Sequence, residues 1–263
     1  MDCRFYPVGA DCAVAERAGH RFGDRGTHTS RTIMFVELAA LFDICDATAL
    51  RADLLHAIVE ENCLFKATAA TRQLSAQRLT ELYGLNPDIP LFRVLRFLWQ
   101  LDAGGRPQLA ILAALARDPL LAATASSVLP LALGAEFQRT PMRAAVLRAV
   151  GDRLNDAILD KVCRNAASSW TQAGHLVGRT LKKRQLVSPT PVTLSYALFL
   201  AVSAGYRSST VFTSPWVRVL DVSPDKARTL AIESKRLGLI DLNMSGEVIT
   251  LDVGRMDPVR RKA

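Results

Sequence analysis

From Thr32 onward, apolar residues recur at the three- and four-residue spacing of a helix with one buried face, and the pattern holds for most of the chain. It predicts helices over 32–45, 49–62, 68–83, 89–101, 106–117, 119–133, 140–152 and 155–172. The breaks fall where turn formers sit: Asp46, Gly84 with Pro87 and Pro90, Gly104-Gly105, Pro119, Gly134 and Gly174. Residues 1–30 show no period and are rich in Gly, Arg and His, so they are expected to form a disordered arm. No internal repeat is visible.

The last third changes character. Val192–Ala204 reads as a buried helix and Ser209–Leu220 as a shorter one. Ser223-Pro224-Asp225 opens a third, with Ser as N-cap, Pro at the first helical position and an acid in the first turn; it runs to Leu237 and stops at Gly238. Leu239–Leu242, a turn at Asn243–Gly246 and the alternating Glu247–Val253 then read as a β-hairpin. Three helices followed by a hairpin is the order of a winged helix-turn-helix. The expected fold is mainly α, with a multi-helix N-terminal domain over 31–153 and a winged-helix-like C-terminal domain over 154–263.

Composition narrows the class. A chain of 263 residues that is 49% hydrophobic and 22% charged is neither disordered nor collagen-like, and it can bury a sizeable core. The most apolar stretches, Leu109–Ala116 and Leu120–Ala135, are separated by Arg117-Asp118-Pro119, and the second holds Thr124, Ser126, Ser127 and Pro130. Both fall short of the roughly 20 apolar residues of a spanning helix, so they are expected to be core helices, with no membrane insertion. Five cysteines without a Cys-x-x-Cys pair form a reduced, cytoplasmic inventory. Cys3, Cys12, His20 and His28 match no common zinc spacing, and no metal or cofactor is expected.

Catalytic patterns are sparse. The four histidines lie at 20, 28, 56 and 175, and His56, between Leu55 and Ala57, is expected at the core or its boundary. Gly104-Gly105-Arg106 lacks the Gly-Lys-Ser/Thr that would make it a phosphate loop. The chain is therefore not expected to be an enzyme.

Charge supplies the direction. The net charge is +8, and residues 155–263 hold 16 basic against 9 acidic groups, seven of the eight excess charges. Such asymmetry points to a polyanion, nucleic acid first and an anionic membrane second. On the helix after Ser223, Ala227, Leu230, Ala231, Ser234 and Leu237 form the inward stripe, which leaves Lys226, Thr229, Glu233 and Arg236 on the opposite face. A helix in a major groove needs such outward donors. Along Asp156–Gln172, Ile158, Leu159, Val162, Ala166 and Trp170 are apolar, while Lys161, Arg164, Asn165, Ser168 and Gln172 point elsewhere. The Gly174–Arg184 segment that follows reads as a wing with Arg179, Lys182, Lys183 and Arg184 near its tip, placed for phosphates. A third, auxiliary contact is expected from Lys66, Thr71 and Arg72, with Thr68, at a helix start; capping by Thr68 is the competing reading.

The run Asn62-x-Leu64-Phe65-x-x-x-Thr-x-x-Thr71-Arg72, the following Arg78-Leu79-x-x-Leu82 and the later Val162–Gly178 segment resemble the BrxA family of bacterial BREX (bacteriophage exclusion) defence systems. The resemblance covers roughly residues 32–250 and departs from the family pattern at Arg31–Phe35. It implies a helical, non-enzymatic component that binds double-stranded DNA and works with other BREX proteins. It also implies likeness to the helical fold of the antitermination protein NusB, which makes RNA, or a role as a helical scaffold for other defence proteins, the alternatives.

Overall fold

The hydrophobic period is realised as twelve α-helices among the described residues, 5–245 and 248–259, in the computed structural model. Six form the first half: α1 (Cys12–Ala18), α2 (Phe35–Ile44), α3 (Arg51–Val59), α4 (Ala69–Tyr83), α5 (Pro90–Leu101) and α6 (Arg106–Arg117). The protein is mainly α. Its centre is α6, whose residues from Gln108 to Arg117 are all buried and which packs against α4, α5, the next helix α7 (Pro119–Val128) and two later helices. The sequence reason is plain: Pro107 starts α6, Ala and Leu fill every face, and Asp118 stops it and caps α7 by accepting the Leu121 N–H at 3.1 Å. The chain bends by 120° there, and no single helix among the described residues is long and apolar enough to cross a membrane. Helix α7 ends at Val128, earlier than its apolar pattern suggests, because Pro130 cannot continue it.

From α7 on, one order of elements occurs twice. The first unit is α7, an extended segment at 134–137, α8 (Arg139–Val150), α9 (Asp156–Gln172) and a hairpin of β1 (Leu176–Val177) and β2 (Lys183–Arg184). The 134–137 segment pairs with this hairpin through an isolated bridge between Glu136 and Lys183: Gly134 N–H donates to Arg184 O at 2.8 Å, Arg184 N–H to Ala135 O at 2.9 Å, and Phe137 N–H to Lys182 O at 2.8 Å. The second unit is α10 (Pro191–Ser203), a 3-10 turn at Ser208–Thr213, α11 (Pro215–Arg218), α12 (Pro224–Arg236) and a hairpin of β3 (Asp241–Ser245) and β4 (Val248–Asp252). The turn packs against β4. The repeat lies in element order and not in residue identity, which is why the sequence conceals it. The single helix expected over 209–220 is split because Pro215 removes a backbone donor, and Ser214 caps the new start. In the C-terminal hairpin Asn243 to Ser245 belong to β3 rather than to the expected turn, and Gly246 and Glu247 are outside the described residues.

Two features of the packing bear on the expected organisation. The boundary drawn at 153/154 divides no core: one hydrophobic cluster runs from Phe5 to Met256, α9 packs on α6, α7 and α8, and α10 packs on α5 and α6. Residues 5–30 of the expected arm are packed on the body of the protein, and residues 1–4 lie outside the described residues. Phe5 is buried against Trp216, whose indole N–H donates to Phe5 O at 2.9 Å. His20 links the Tyr6 hydroxyl at 2.9 Å to the Ser203 hydroxyl at 2.8 Å. Gly26 passes so close to Asp118 that a Cβ there would lie 2.1 Å from the carboxylate. Aromatic and histidine side chains tie this segment down, a packing that needs no helical period and so leaves no periodic signature.

Candidate nucleic-acid interface

Helix α9 begins at Asn155, whose side chain accepts the Ile158 N–H at 2.9 Å, and it buries Leu159, Val162, Cys163, Ala166 and Trp170. Two flanks remain. One is covered: Asn165 donates to His28 O at 2.8 Å, and Gln172 bonds Thr32 and the Phe35 N–H, so these two residues hold the 28–35 segment rather than face a ligand. The other carries Lys161, Arg164 and Ser168, the first two exposed and Ser168 half-buried, and ends at Thr171. The spacings of three, four and three align these four side chains on one ridge.

The hairpin stands at the end of that ridge. Lys182 reaches back from it and donates to the Thr171 hydroxyl at 2.9 Å and to Gly178 O at 3.2 Å; partial burial lowers its pKa below the usual lysine value. Gly178 makes the bend possible, since it has φ +110° and a Cβ would meet Leu181 O at 2.1 Å. Arg179 and Lys183 are exposed. Arg184 is not. Its side chain is fully buried and paired with Asp221, so it leaves the set of surface cations expected at the tip. The strand register explains the reversal: Lys183 and Arg184 point to opposite faces of a strand, and only one of them can face solvent.

Ion pairing divides the cations of this surface. Arg143 on α8 binds both Asp156 at 2.5 Å and Asp160 at 2.7 Å, engaging the two carboxylates of α9. Lys161, Arg164, Arg179, Lys182 and Lys183 have no carboxylate partner among the described residues, nor do the exposed Arg139 and Arg148 of α8. The sequence reading passed over those two arginines because they sit in a segment of modest net charge; their place on the helix before α9 becomes visible only in the folded chain.

On α12 the expected pattern holds with one change. Ser223 accepts the Lys226 N–H, Ala227, Leu230, Ala231 and Ser234 are buried, and Lys226, Thr229 and Arg236 are exposed. Leu237 is the change: at 59% exposure it is outside the inward stripe, since the helix ends before it. Lys226 and Arg236 have no carboxylate partner among the described residues, whereas Arg228 pairs with Asp225 at 2.7 Å and Lys235 caps the hairpin at Leu242 O. The residues expected as an auxiliary contact are engaged otherwise. Lys66 pairs with Glu37 at 2.9 Å, Arg72 donates to Glu60 O at 3.4 Å, and Thr68 and Thr71 close a reciprocal cap at the start of α4.

The histidines form connections invisible in sequence. His28 Nδ1 lies 2.8 Å from Asp118 Oδ2, and its Nε2 lies 2.8 Å from Ser169 Oγ, the connectivity of a Ser-His-Asp triad. Burial raises the Asp118 pKa, but the charge and hydrogen bond of His28 and the N–H groups of Leu121 and His28 outweigh it, so the carboxyl stays below its ordinary value. All three side chains are buried to within 1%. Ser169 Oγ also accepts the Ile33 N–H and donates to Asn165 O, and neither described surface cleft, of about 340 and 520 Å³, is lined by it. The arrangement clamps the N-terminal segment between α7 and α9, with no room for a substrate. His56, expected at the core or its boundary, is instead 61% exposed beside Glu61. His20 and His28, two of the four groups considered for zinc, have both ring nitrogens occupied by protein partners.

Two buried histidines set an acid limit. Burial, with Arg117 nearby, lowers the His20 pKa to about 3; burial also lowers that of His175 to about 4. Each is neutral when folded and protonates near 6.5 when unfolded, so the unfolded chain binds more protons and stability falls as pH drops below about 6.5. At pH 5 each histidine is expected to cost about 2 kcal/mol relative to pH 8. Urea unfolding at the two pH values checks this, and His20→Gln should remove about half of the difference.

A scan of protein-family models and a search of curated proteins gave no match to this chain.

Proposed function

We propose that this protein is a non-enzymatic nucleic-acid-binding protein whose ligand is double-stranded DNA. The observation that carries the reading is the set of surface cations without carboxylate partners on α8, the ridge of α9 and the adjoining hairpin. Phosphate neutralisation rewards such unpaired cations, whereas a cation already bound to a carboxylate gains little by the exchange. Three helices followed by a hairpin, an order that occurs twice, supports reading the two units as winged helices, with α9 and α12 as the helices offered to a major groove. Lys161, Arg164 and Ser168 on α9 and Lys226, Thr229 and Arg236 on α12 are the candidate groove-facing groups. Arg179, Lys182 and Lys183 are the candidate phosphate contacts of the first wing. Lys66, Thr71 and Arg72 are left out because the fold already uses them. On the resemblance of Asn62–Arg72 and Val162–Gly178 to the BrxA family, the proposed setting of this activity is a BREX-type phage-defence system, with other BREX proteins as partners. A NusB-like N-terminal bundle is the finer fold reading that goes with it.

The test compares the full chain on a duplex DNA of random sequence and a duplex RNA of equal length. DNA binding stronger than RNA binding is expected; equal or stronger RNA binding would favour the antitermination-like reading instead. The wide, shallow minor groove and narrow major groove of RNA duplexes exclude a helix from the base edges, which is why the two ligands discriminate.

A further inference from the structure

Between the two helix-hairpin units lies a buried polar junction that belongs to neither hydrophobic face. His175, in the turn after α9, packs edge-on against Trp170 with ring centroids 4.9 Å apart, and its Nε2 lies 2.6 Å from Val219 O in the turn after α11. Arg184, at the end of the first hairpin, donates to His175 O at 3.3 Å and to Asp221 Oδ1. The second oxygen of Asp221 accepts the Val187 N–H at 3.0 Å. Arg184 is 0% exposed and Asp221 7%, and Asp221 holds a left-handed backbone with φ +53°, a conformation costly for a non-glycine residue. Only Val222 separates Asp221 from Ser223, the N-cap of α12. The C-terminal end of α9 and the N-terminal end of α12 are therefore joined by one cluster of charge-assisted bonds.

A burial of this kind is a poor way to gain stability, since desolvating two charges offsets much of their attraction. It is a good way to fix geometry, because charged groups in a buried site tolerate few alternative arrangements. We propose that Asp221, through Arg184 and His175, is a positioning residue that locks α12 relative to α9, so that the two units engage DNA as one composite surface of fixed spacing. This rests on the nucleic-acid reading above for its ligand, but its geometric half stands alone: a lock makes the distance between the two helices single-valued with or without DNA.

The experiment measures that distance in the full chain by pulsed electron resonance. Spin labels are attached through genetically encoded keto residues at Ala157 on α9 and Ile232 on α12, both exposed and neither a proposed contact. The unsubstituted junction should give one narrow distance distribution, unchanged by a duplex of about 30 base pairs, long enough to span adjacent half-sites. Arg184→Met with Asp221→Leu removes both charges without leaving one stranded, and Asp221→Asn keeps the acceptor oxygen while removing the charge. In whichever of these folds, the distribution should broaden, and affinity for the same duplex should fall about tenfold as the two units lose their shared, preset geometry. A broad or multiple distribution in the unsubstituted protein overturns the lock, as does a narrow, unchanged one in a folded variant. A narrow distribution in a protein that fails to bind DNA at any salt keeps the lock and removes the ligand, which separates the two claims.

Discussion

Arg184→Ala is expected to destabilise the whole protein by about 3–5 kcal/mol, because it leaves the Asp221 carboxylate buried without its partner. A four-cation wing read from sequence would assign Arg184 an effect on DNA affinity alone, so the two readings diverge sharply. Denaturant unfolding of Arg184→Ala beside Lys183→Ala distinguishes them: the neighbour is exposed and should leave stability within about 0.5 kcal/mol of the parent. Equal stability of both variants would place Arg184 back on the surface.

The second large effect concerns binding. Replacing Lys161, Arg164, Arg179 and Lys183 together by Ala should weaken duplex DNA binding by about three orders of magnitude at 0.1 M salt, through the loss of two groove-facing cations and two phosphate contacts. The same variant should lower the steepness of the salt dependence by about 0.9 for each of the two lost phosphate contacts, Arg179 and Lys183, roughly 1.8 in total. Stability should barely change, since these side chains are exposed and have no carboxylate to strand. Lys66→Ala serves as the comparison: its ammonium is held by Glu37, and its loss should leave DNA affinity unaltered. Affinity that survives the fourfold change intact would remove the α9 ridge and the hairpin from the interface.

The helices were legible because each buries a face, and burial writes itself into the spacing of apolar residues. Helix α6 is an informative extreme, where near-continuous Ala and Leu between Arg106 and Arg117 mark a helix enclosed on all sides, and α5 and α4 follow their expected limits to within a residue. The N-terminal segment was illegible for the opposite reason. Its anchors are His20 on Tyr6 and Ser203, His28 on Asp118 and Ser169, and Trp216 on Phe5, and those partners lie up to 211 residues away. Polar pairing over such separations has no local period. The same holds for the bridge at 134–137, whose pairing with Lys182–Arg184 is made of backbone groups and so leaves side-chain pattern untouched.

The candidate interface was half legible. Lys161, Arg164, Arg179, Lys183, Lys226 and Arg236 could be picked out as cations off an apolar stripe, and all six are exposed. What the stripe could not show was which cations already hold a carboxylate. Arg143 engages two, Lys66 and Arg228 one each, and Arg184 is buried with Asp221. Ion pairing depends on tertiary neighbours, and it decides which charges remain available. A chain cut at 154 would not localise binding, because α9 contributes Leu159, Val162 and Trp170 to the shared core and its removal would expose that core.

The most direct measurement is the affinity of the full chain for a random-sequence DNA duplex across a salt series. Cations that replace condensed counterions along a phosphate backbone should make the logarithm of affinity fall linearly with the logarithm of salt concentration, with a slope of about −4 or steeper for five or more contacts. Undetectable binding at low salt, or affinity indifferent to salt, would contradict the assignment of this surface to nucleic acid.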